Sequence, residues 1–290
     1  MQEWDVVTPC NVAELTEILS RQPGKLIAGG TDLIPRLRRA PAAQPVCLID
    51  LSRLSELSFI REQAGQIEIG ALTTHAQLFT SSLLIQGAPA LSKACASIGS
   101  PQTRARGTLG GNLCNASPAA DTAAPLLCLD AEVQLAGRTG PRRLALNDFF
   151  IGPGKTGLLP GEYLHSIHFS LPTGLWGAAY EKLGRRNGMA IAVASAAVLL
   201  TLSASGQINR ARIALGSVAS RPVRSPHAET ILIGRTPDSA LLEQAAQAML
   251  ADISPIADIR ASREYRMHAA HILLLRALEE ALSQAQGRRK

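Results

Sequence analysis

The sequence predicts an α+β protein assembled in three parts, and three features carry that prediction. Its first fifty or so residues alternate helix, strand, glycine-rich turn, helix and strand, the pattern of a small α/β unit with a parallel strand pair. From Leu57 the texture changes to short strands with tight turns, interleaved with helices rich in small residues. Beyond Pro172-Thr173-Gly174, which reads as a linker, two long apolar strands meet at Ser205-Gly206 and only helices follow. The expected parts are therefore residues 1–56, 57–172 and 173–290.

Composition sets limits on what these parts do. Of 290 residues, 46% are hydrophobic but only 3% aromatic, so Ala, Leu, Ile and Val must fill the core. The formal charge is +6, yet the basic residues are dispersed. The densest runs, Arg36-Leu37-Arg38-Arg39 and Arg288-Arg289-Lys290, read as solvated surface and a frayed tail rather than a nucleic-acid footprint. Cys10, Cys47, Cys95, Cys114 and Cys128 form no C-x-x-C pair and have no His at ligand spacing, so no metal site is expected in this chain. Unpaired spacing of this kind suits a reducing compartment. The start, Met1 to Asp5, lacks an apolar h-region, and the longest apolar run, Met189 to Leu202, is too short for a membrane span. The expectation is a cytoplasmic protein with no membrane span and no nucleic-acid partner.

In chain order, Asn11-Val12-Ala13-Glu14 has the capping-box pattern, and Val12, Leu15 and Ile18/Leu19 recur at helical spacing until Pro23-Gly24. Residues 25–28 read as a short buried strand, 33–39 as a helix with Pro35 in its first turn, and 46–50 as the next strand. Strands over 57–61 and 66–70 flank Ala64-Gly65, a hairpin signal. Thr73-Thr74-His75 opens a helix; with no partner motif nearby, His75 reads as a cap-region residue rather than a chemical one. A helix of small residues over 90–97 ends at Gly99-Ser100-Pro101. Arg104 and Arg106 either neutralise phosphate or tie loops together, with the second role favoured. A helix follows Asp121, then strands over 131–136 and 142–146. Gly152-Pro153-Gly154-Lys155-Thr156 reads as a turn before a strand over 162–169, in preference to a phosphate loop using Lys155. Strands over 177–183, 191–202 and 208–217 come next, and helices near 226–233, 238–252 and 262–285. The last helix places Met267, Leu274, Leu275, Leu278 and Leu282 on one core-facing stripe.

Two segments stand apart from this framework. In the run from Thr108-Leu109-Gly110-Gly111-Asn112 through Leu113, Cys114 and Asn115-Ala116-Ser117 to Asp121, only Leu109 and Leu113 are bulky. So bare a backbone lets a ligand approach, and glycine allows its N–H to be aimed at an anion. Lys25-Leu26-Ile27-Ala28-Gly29-Gly30-Thr31-Asp32 has the same character, set between a strand and a helix. It has neither G-x-G-x-x-G spacing nor a G-K-[ST] ending, and alone it is equally an ordinary turn. Together the two segments read as loops holding one dinucleotide. Asp121 is either a helix N-cap or a partner for ribose hydroxyls. No side-chain acid, base or nucleophile stands out.

These motifs resemble those of the FAD-binding medium subunit of the molybdenum hydroxylases, the xanthine dehydrogenase and carbon monoxide dehydrogenase type. The resemblance continues through Gly152 to Thr156, Tyr180-Glu181-Lys182-Leu183 with Arg185-Arg186, Ala214 to Ala219 and Arg260 to Arg266, and so spans the chain. It implies a vanillyl-alcohol-oxidase (PCMH) type of FAD-binding fold. It implies that Lys25 to Asp32 with Leu33, and Thr108 to Asn112, wrap the FAD pyrophosphate, the second segment reaching on through Asn115 and Ser117. Ile98 would pack on the cofactor, Asp121 would meet ribose or the adenosine end, and Leu164 would lie by adenine or flavin. Tyr180, Glu181 and Lys182 would approach the isoalloxazine.

The implied partners are a [2Fe–2S] small subunit and a molybdopterin large subunit in a dimer of heterotrimers. Electrons would pass from the clusters through FAD to NAD or another acceptor while a purine or other N-heterocycle is hydroxylated. The alternatives are a self-sufficient FAD-dependent dehydrogenase or oxidase, and a non-catalytic assembly subunit. Two departures stand out. Ala190 occupies a place where many relatives have Asp, which alters the charge there. No cysteine-bearing insertion interrupts the middle region, which argues against the 4-hydroxybenzoyl-CoA reductase branch.

Overall fold

In a computed structural model, which describes residues 4–39 and 46–288, Trp4–Val7 (β1), Val12–Arg21 (α1), Lys25–Ile27 (β2), Leu33–Arg39 (α2) and Val46–Asp50 (β3) form the first layer. The strands are parallel, in the order β1-β3-β2. Neighbouring side chains of a strand point to opposite faces. Ile49 therefore packs with Leu15 of α1, while Leu48 packs with Leu37 of α2. Asn11 caps α1 by accepting from the Glu14 N–H, but the Glu14 carboxylate accepts from Cys10 N, so the reciprocal half of the capping box is shifted by one residue. β1 is absent from the sequence reading because its four residues, with Asp5 and Val6 exposed, show no alternation. β2 is an edge strand with Lys25 exposed and its neighbours half-buried, not the buried strand expected. The acidic start, Met1 to Glu3, and the last two residues of the basic tail, Arg289 and Lys290, lie outside the described residues.

The second layer comprises Ile60–Gln63 (β4), Gln66–Gly70 (β5), His75–Thr80 (α3), Ser82–Gly87 (α4), Pro89–Ala96 (α5), Pro101–Arg106 (α6), Leu109–Cys114 (α7), Ala123–Cys128 (α8), Glu132–Ala136 (β6), Arg142–Ala145 (β7), Leu146–Phe149 (α9), Phe150–Gly152 (β8), Lys155–Thr156 (β9) and Tyr163–Ser170 (β10). Its main sheet runs β4-β5-β10-β6-β7. Ala64 and Gly65, with φ of 51° and 77°, turn the β4–β5 hairpin in the left-handed geometry that a two-residue connection needs. β10 enters between two hairpins already formed and pairs antiparallel with β5 and β6, an order no local pattern reveals. The inner face, including Ile67, Ile69, Val133 and Ile167, packs against Leu78, Leu91, Leu113 and Leu126 of the helices. α4 and α6 are too short to show periodicity; for α6 the signal was Ser100 as cap with Pro101 in the first turn. Lys155 lies in the β8–β9 hairpin, exposed.

The third layer holds Leu175–Gly184 (β11), Ala192–Leu202 (β12), Ile208–Gly216 (β13), Val223–Arg224 (β14), Pro226–Leu232 (α10), Ser239–Ala248 (α11) and Arg263–Gly287 (α12). The antiparallel sheet β11-β12-β13-β14 is buried on both faces. Ala194, Ala196, Val198 and Leu200 face α10–α12, while Ala197 and Leu199 face the second layer. That is why β12 reads as one apolar run. On α12 the buried stripe is Ala270, Leu273, Leu274, Ala277, Leu278 and Ala281. Met267, Leu275 and Leu282 flank it, so the expected stripe is rotated toward the alanines, which let the helix lie close to the sheet. Among the described residues, no helix is long and apolar enough to cross a membrane.

An ion network joins the second and third layers. Asp130, just past α8, accepts from Arg210, from Arg212 at 2.8 Å and from Arg224 at 2.6 Å, while Arg224 also grips Glu229 through two 2.7 Å bonds. Burial alone would raise the Asp130 pKa, but the three arginines outweigh it and lower it. A depressed folded-state pKa contributes stability that is present above the unfolded value and lost as pH falls through the folded one. Asp130→Asn keeps a side chain suited to the left-handed φ of 48°. It is expected to cost about 1 kcal/mol at pH 7, after allowing for solvent screening of a partly exposed site. Urea melts should show the difference shrinking toward pH 3 and in high salt.

Candidate functional site

Between the open edge of the first sheet and the helices of the second layer lies a cavity of about 470 Å³. Lys25, Leu26, Ile27, Ala28, Gly29, Gly30, Thr31, Asp32 and Leu33 all line it, as do Ile98, Thr108, Gly110, Gly111, Asn112, Asn115 and Leu164. The two small-residue segments, some eighty positions apart in sequence, are thus brought together. A groove of about 740 Å³, lined by the second sheet together with Leu199 and Arg210 of the third layer, is larger. Its charges are already matched, Arg61 with Glu68, Arg143 with Glu132 and Arg210 with Asp130. The smaller cavity has unspent hydrogen-bonding capacity.

That capacity sits in the backbone. Among the described residues, none accepts from the N–H groups of Ala28, Gly29, Gly30, Thr31, Asp32 or Leu33. Gly30 has φ of 70°, a turn that a side chain would strain. Gly29 is needed for a different reason: a Cβ there would lie 1.9 Å from the carbonyl oxygen of Arg106, so the first segment touches the backbone that leads into the second.

The second segment differs from the expected loop. Thr108 is an N-cap and Leu109–Cys114 is helix α7, so Gly110 and Gly111 have no positive φ. Its amides are already engaged: Leu109 N donates to Thr73 O, Gly110 N to Ala71 O, Gly111 N to Thr108 Oγ1 and Asn112 N to Thr108 O. The glycines are there for closeness, since a Cβ at Gly110 would sit 2.7 Å from Ala71 Cβ and its carbonyl oxygen. This wall of the cavity offers shape and side chains; the free N–H groups belong to the first segment.

Among the described residues, two charged pairs and one unpaired lysine lie around the cavity. Arg36 donates to Asp32 at 3.2 Å and to Asn115 at 3.0 Å, spanning the two segments. Glu162 is held in a two-pronged pair by Arg142 at 2.7 and 2.8 Å, whose hydrogen bonds lower its pKa. Among the described residues the Lys25 ammonium has no partner. His75, at the first position of α3, also lines the cavity. Burial lowers its pKa to about 4, so the ring is uncharged at neutral pH. The sequence reading placed it correctly at a cap but gave no sign of the cavity.

Leu109, Ser117, Asp121, Tyr180, Glu181 and Lys182 do not line this cavity. Leu109 is core, and Ser117 accepts from Ala119 N in its own turn. Glu181 pairs with Lys93 at 2.7 Å. Asp121 sits where β11 meets the second layer, accepting from Tyr180 OH at 2.8 Å and from Lys182 Nζ at 2.7 Å. It does not cap α8, whose N-cap is Thr122. Lys182 Nζ also donates to Ser97 O at 3.2 Å, and Arg104 donates to Ile98 O at 3.0 Å. Two cations thus hold the carbonyls on either side of the Ile98 N–H, fixing a residue of the cavity wall. Arg104 accordingly ties a loop, as favoured from the sequence.

Arg36, Leu72, His75, Thr103, Cys114, Leu158 and Tyr163 line the cavity without having been singled out as site residues. Arg36 looked like part of a solvated basic run, although its place one turn beyond Gly30 was a usable signal. The others arrive through tertiary contacts.

Known proteins share this arrangement along the whole chain. Residues 2–172 match the family described as the FAD binding domain in molybdopterin dehydrogenase, and residues 178–281 the CO dehydrogenase flavoprotein C-terminal domain. The chain is 37% identical over 263 residues to the 6-hydroxypseudooxynicotine dehydrogenase complex subunit alpha of Paenarthrobacter nicotinovorans, covering 90% of this chain and 88% of that one. It is 35% identical over 286 residues to the carbon monoxide dehydrogenase medium chain of Afipia carboxidovorans, covering 98% of each. A solved structure of carbon monoxide dehydrogenase from Hydrogenophaga pseudoflava, lacking the Mo-pyranopterin moiety of its molybdenum cofactor, superposes with a TM-score of 0.93 at 33% identity, covering 97% of this chain and 98% of that one.

Proposed function

The chain belongs to the family of FAD-binding medium subunits of the molybdenum hydroxylases, and on that premise we propose that it carries electrons from [2Fe–2S] clusters on a small partner subunit, through FAD held in the cavity described above, to NAD or another acceptor. The observation that supports the placement of FAD most directly is that Ala28 to Leu33, whose N–H groups have no acceptor among the described residues, line a cavity that Gly110 and Gly111 also line. A diphosphate suits such donors, which bind an anion without a cluster of lysines. Gly29 and Gly110 let their segments approach Arg106 and Ala71 closely enough to build the cradle. Lys25, without a partner among the described residues, adds positive charge at its rim, where Arg36 is paired with Asp32.

Bound FAD supplies an isoalloxazine able to take up electrons singly or in pairs. The chain's own part is to hold, orient and seal. Backbone N–H groups of the first segment hold the diphosphate. Helix α7 and Ile98 form the opposite wall. The Asp121–Tyr180–Lys182 cluster keeps that wall fixed against the third layer and, through Lys182, places a cation near it.

Substrate oxidation belongs, in this proposal, to a molybdopterin large subunit, with the three chains in a dimer of heterotrimers. One relative is named for 6-hydroxypseudooxynicotine and another for carbon monoxide, at similar identity. Likeness in this subunit therefore tracks electron transfer rather than substrate. The substrate class proposed for that partner is a purine or other N-heterocycle. Unpaired cysteines at every Cys position suit a cytoplasmic setting.

Purification of the chain tests the core of this reading. A yellow protein with one FAD per chain, recovered with iron–sulfur and molybdopterin subunits, is the expected result; a colourless chain that FAD cannot reconstitute overturns it. A finer test concerns the rim. Arg36→Gln is expected to weaken FAD binding about threefold, the scale of an exposed ionic contact, with the deficit disappearing at high ionic strength. Titration of FAD into apoprotein at two salt concentrations measures it.

A further inference from the structure

We infer that His75 is a cofactor-binding residue whose imidazole gives the bound dinucleotide a hydrogen-bond partner at the seam between the two glycine segments. The inference rests on the FAD reading above and adds a contact that neither the sequence motifs nor the family resemblance assigns.

Three features of the site carry it. First, the ring is held at the seam by its own backbone. His75 N donates to Gly107 O at 2.9 Å, and Thr74 is bridged to Thr108. A Cβ at Gly107 would lie 3.2 Å from His75 Cδ2 and 3.4 Å from Thr31 Oγ1, so the ring and the first segment converge on one glycine. Second, the ring is 3% exposed and still lines the cavity. Third, it is unsatisfied. Neither ring nitrogen has a hydrogen-bond partner among the described residues, and Nδ1 is sealed from solvent.

An orphaned buried nitrogen is uncommon in a folded protein and costs roughly 1–3 kcal/mol unless something pairs with it. Capping does not account for this ring. Thr74 and Gln77 already close the start of α3 with a complete capping box. A histidine kept only for packing would have a partner or would be replaced at no loss by an apolar side chain. A ligand in the cavity meets the ring at Nε2, which has no partner among the described residues and is not sealed as Nδ1 is. Being neutral, the ring presents one N–H and one lone pair, so it can donate to a phosphate or hydroxyl oxygen without adding charge.

The test uses the full chain as apoprotein, titrated with FAD, for wild type and for His75→Leu, His75→Asn and His75→Gln. Asn sets a polar atom near the place of Nδ1, and Gln near that of Nε2. His75→Leu is expected to raise the FAD Kd about tenfold, the loss of one hydrogen bond to a charged or polar group. Its apoprotein should melt no lower than wild-type apoprotein, because an unpaired buried nitrogen has been removed. The gain in Tm on adding FAD should shrink. His75→Gln should bind within about threefold of wild type, His75→Asn distinctly more weakly.

A His75→Leu Kd within twofold of wild type, with apo and holo forms destabilised alike, shows a packing role and overturns the inference. If His75→Leu does not fold, equal Kd values for wild type, Asn and Gln overturn it instead. A wild-type apoprotein that binds no FAD fails at the earlier step, and that result is read from wild type alone.

Discussion

Gly29→Ala is expected to abolish stable FAD retention, raising the Kd at least about 100-fold, which corresponds to about 2.7 kcal/mol. The reason is space. Gly29 lies outside the left-handed region, so alanine can adopt its backbone conformation. The added Cβ, however, would lie 1.9 Å from Arg106 O, 2.5 Å from Arg106 C and 3.0 Å from Gly107 Cα. All three are backbone atoms, so no rotamer change relieves the clash. The two segments must separate by more than an ångström, which opens the seam that the diphosphate is proposed to bridge. Overpacking costs about 1–3 kcal/mol when side chains can yield, and more when only backbone can. Neighbouring glycines sharpen the test. At Gly111 the nearest atom to a new Cβ is Thr108 Oγ1 at 2.9 Å, a side-chain atom whose rotation gives up only its cap bond to Gly111 N. Gly111→Ala should therefore weaken FAD binding far less than Gly29→Ala. Flavin content after purification and FAD titration of the apoproteins check both; equal effects from the two would show that segment contact is not what holds the cofactor.

The same glycines show what was legible in the sequence. Their clustering marked both walls of the cavity, because absence of side chains is a local property. Their reasons were not local. Gly29 is required by Arg106, and Gly110 by Ala71, neither of which any spacing rule connects to them. Reading Gly110-Gly111 as an open loop missed that Thr108 caps a helix whose first amides are all engaged. Likewise the apolar run of β12 identified a buried strand, but not that its two faces serve different cores. His75 is recognisable as a cap-region residue from its place at a helix start with no partner motif nearby, and the structure adds the Thr74–Gln77 capping box. Its place in the cavity depends on the pairing of Thr74 with Thr108, a tertiary contact. Asp121 is a candidate from the residues themselves, Tyr180 and Lys182 only through the family resemblance, and the structure adds that they bind one another.

That cluster carries the second large prediction. Lys182→Met is expected to destabilise the protein by about 3–5 kcal/mol at neutral pH, the cost of leaving a buried charge without its partner. Asp121 and Lys182 side chains are only 10% and 11% exposed, and their 2.7 Å bond is the main compensation for burying the carboxylate. Tyr180 OH supplies one further hydrogen bond. Burial raises the Asp121 pKa, against the pull of Lys182 and Tyr180. A raised folded-state pKa contributes stability that is complete below the unfolded value and lost as pH rises through the folded one. Removing Lys182 takes away the largest opposing effect, so the folded-state pKa rises further and the window of loss widens upward. The Tm deficit of Lys182→Met should therefore grow from pH 5 to pH 8. Adding Asp121→Asn should recover much of it at pH 8, because no charge is then left unpaired. Tyr180→Phe, which keeps the ion pair, should cost only about 1 kcal/mol with little dependence on pH. Lys182 also anchors Ser97 O beside Ile98, so the Met variant should shift the flavin potential as well. A pH-independent deficit that Asp121→Asn does not relieve would mean that Lys182 stabilises the layer contact by packing alone.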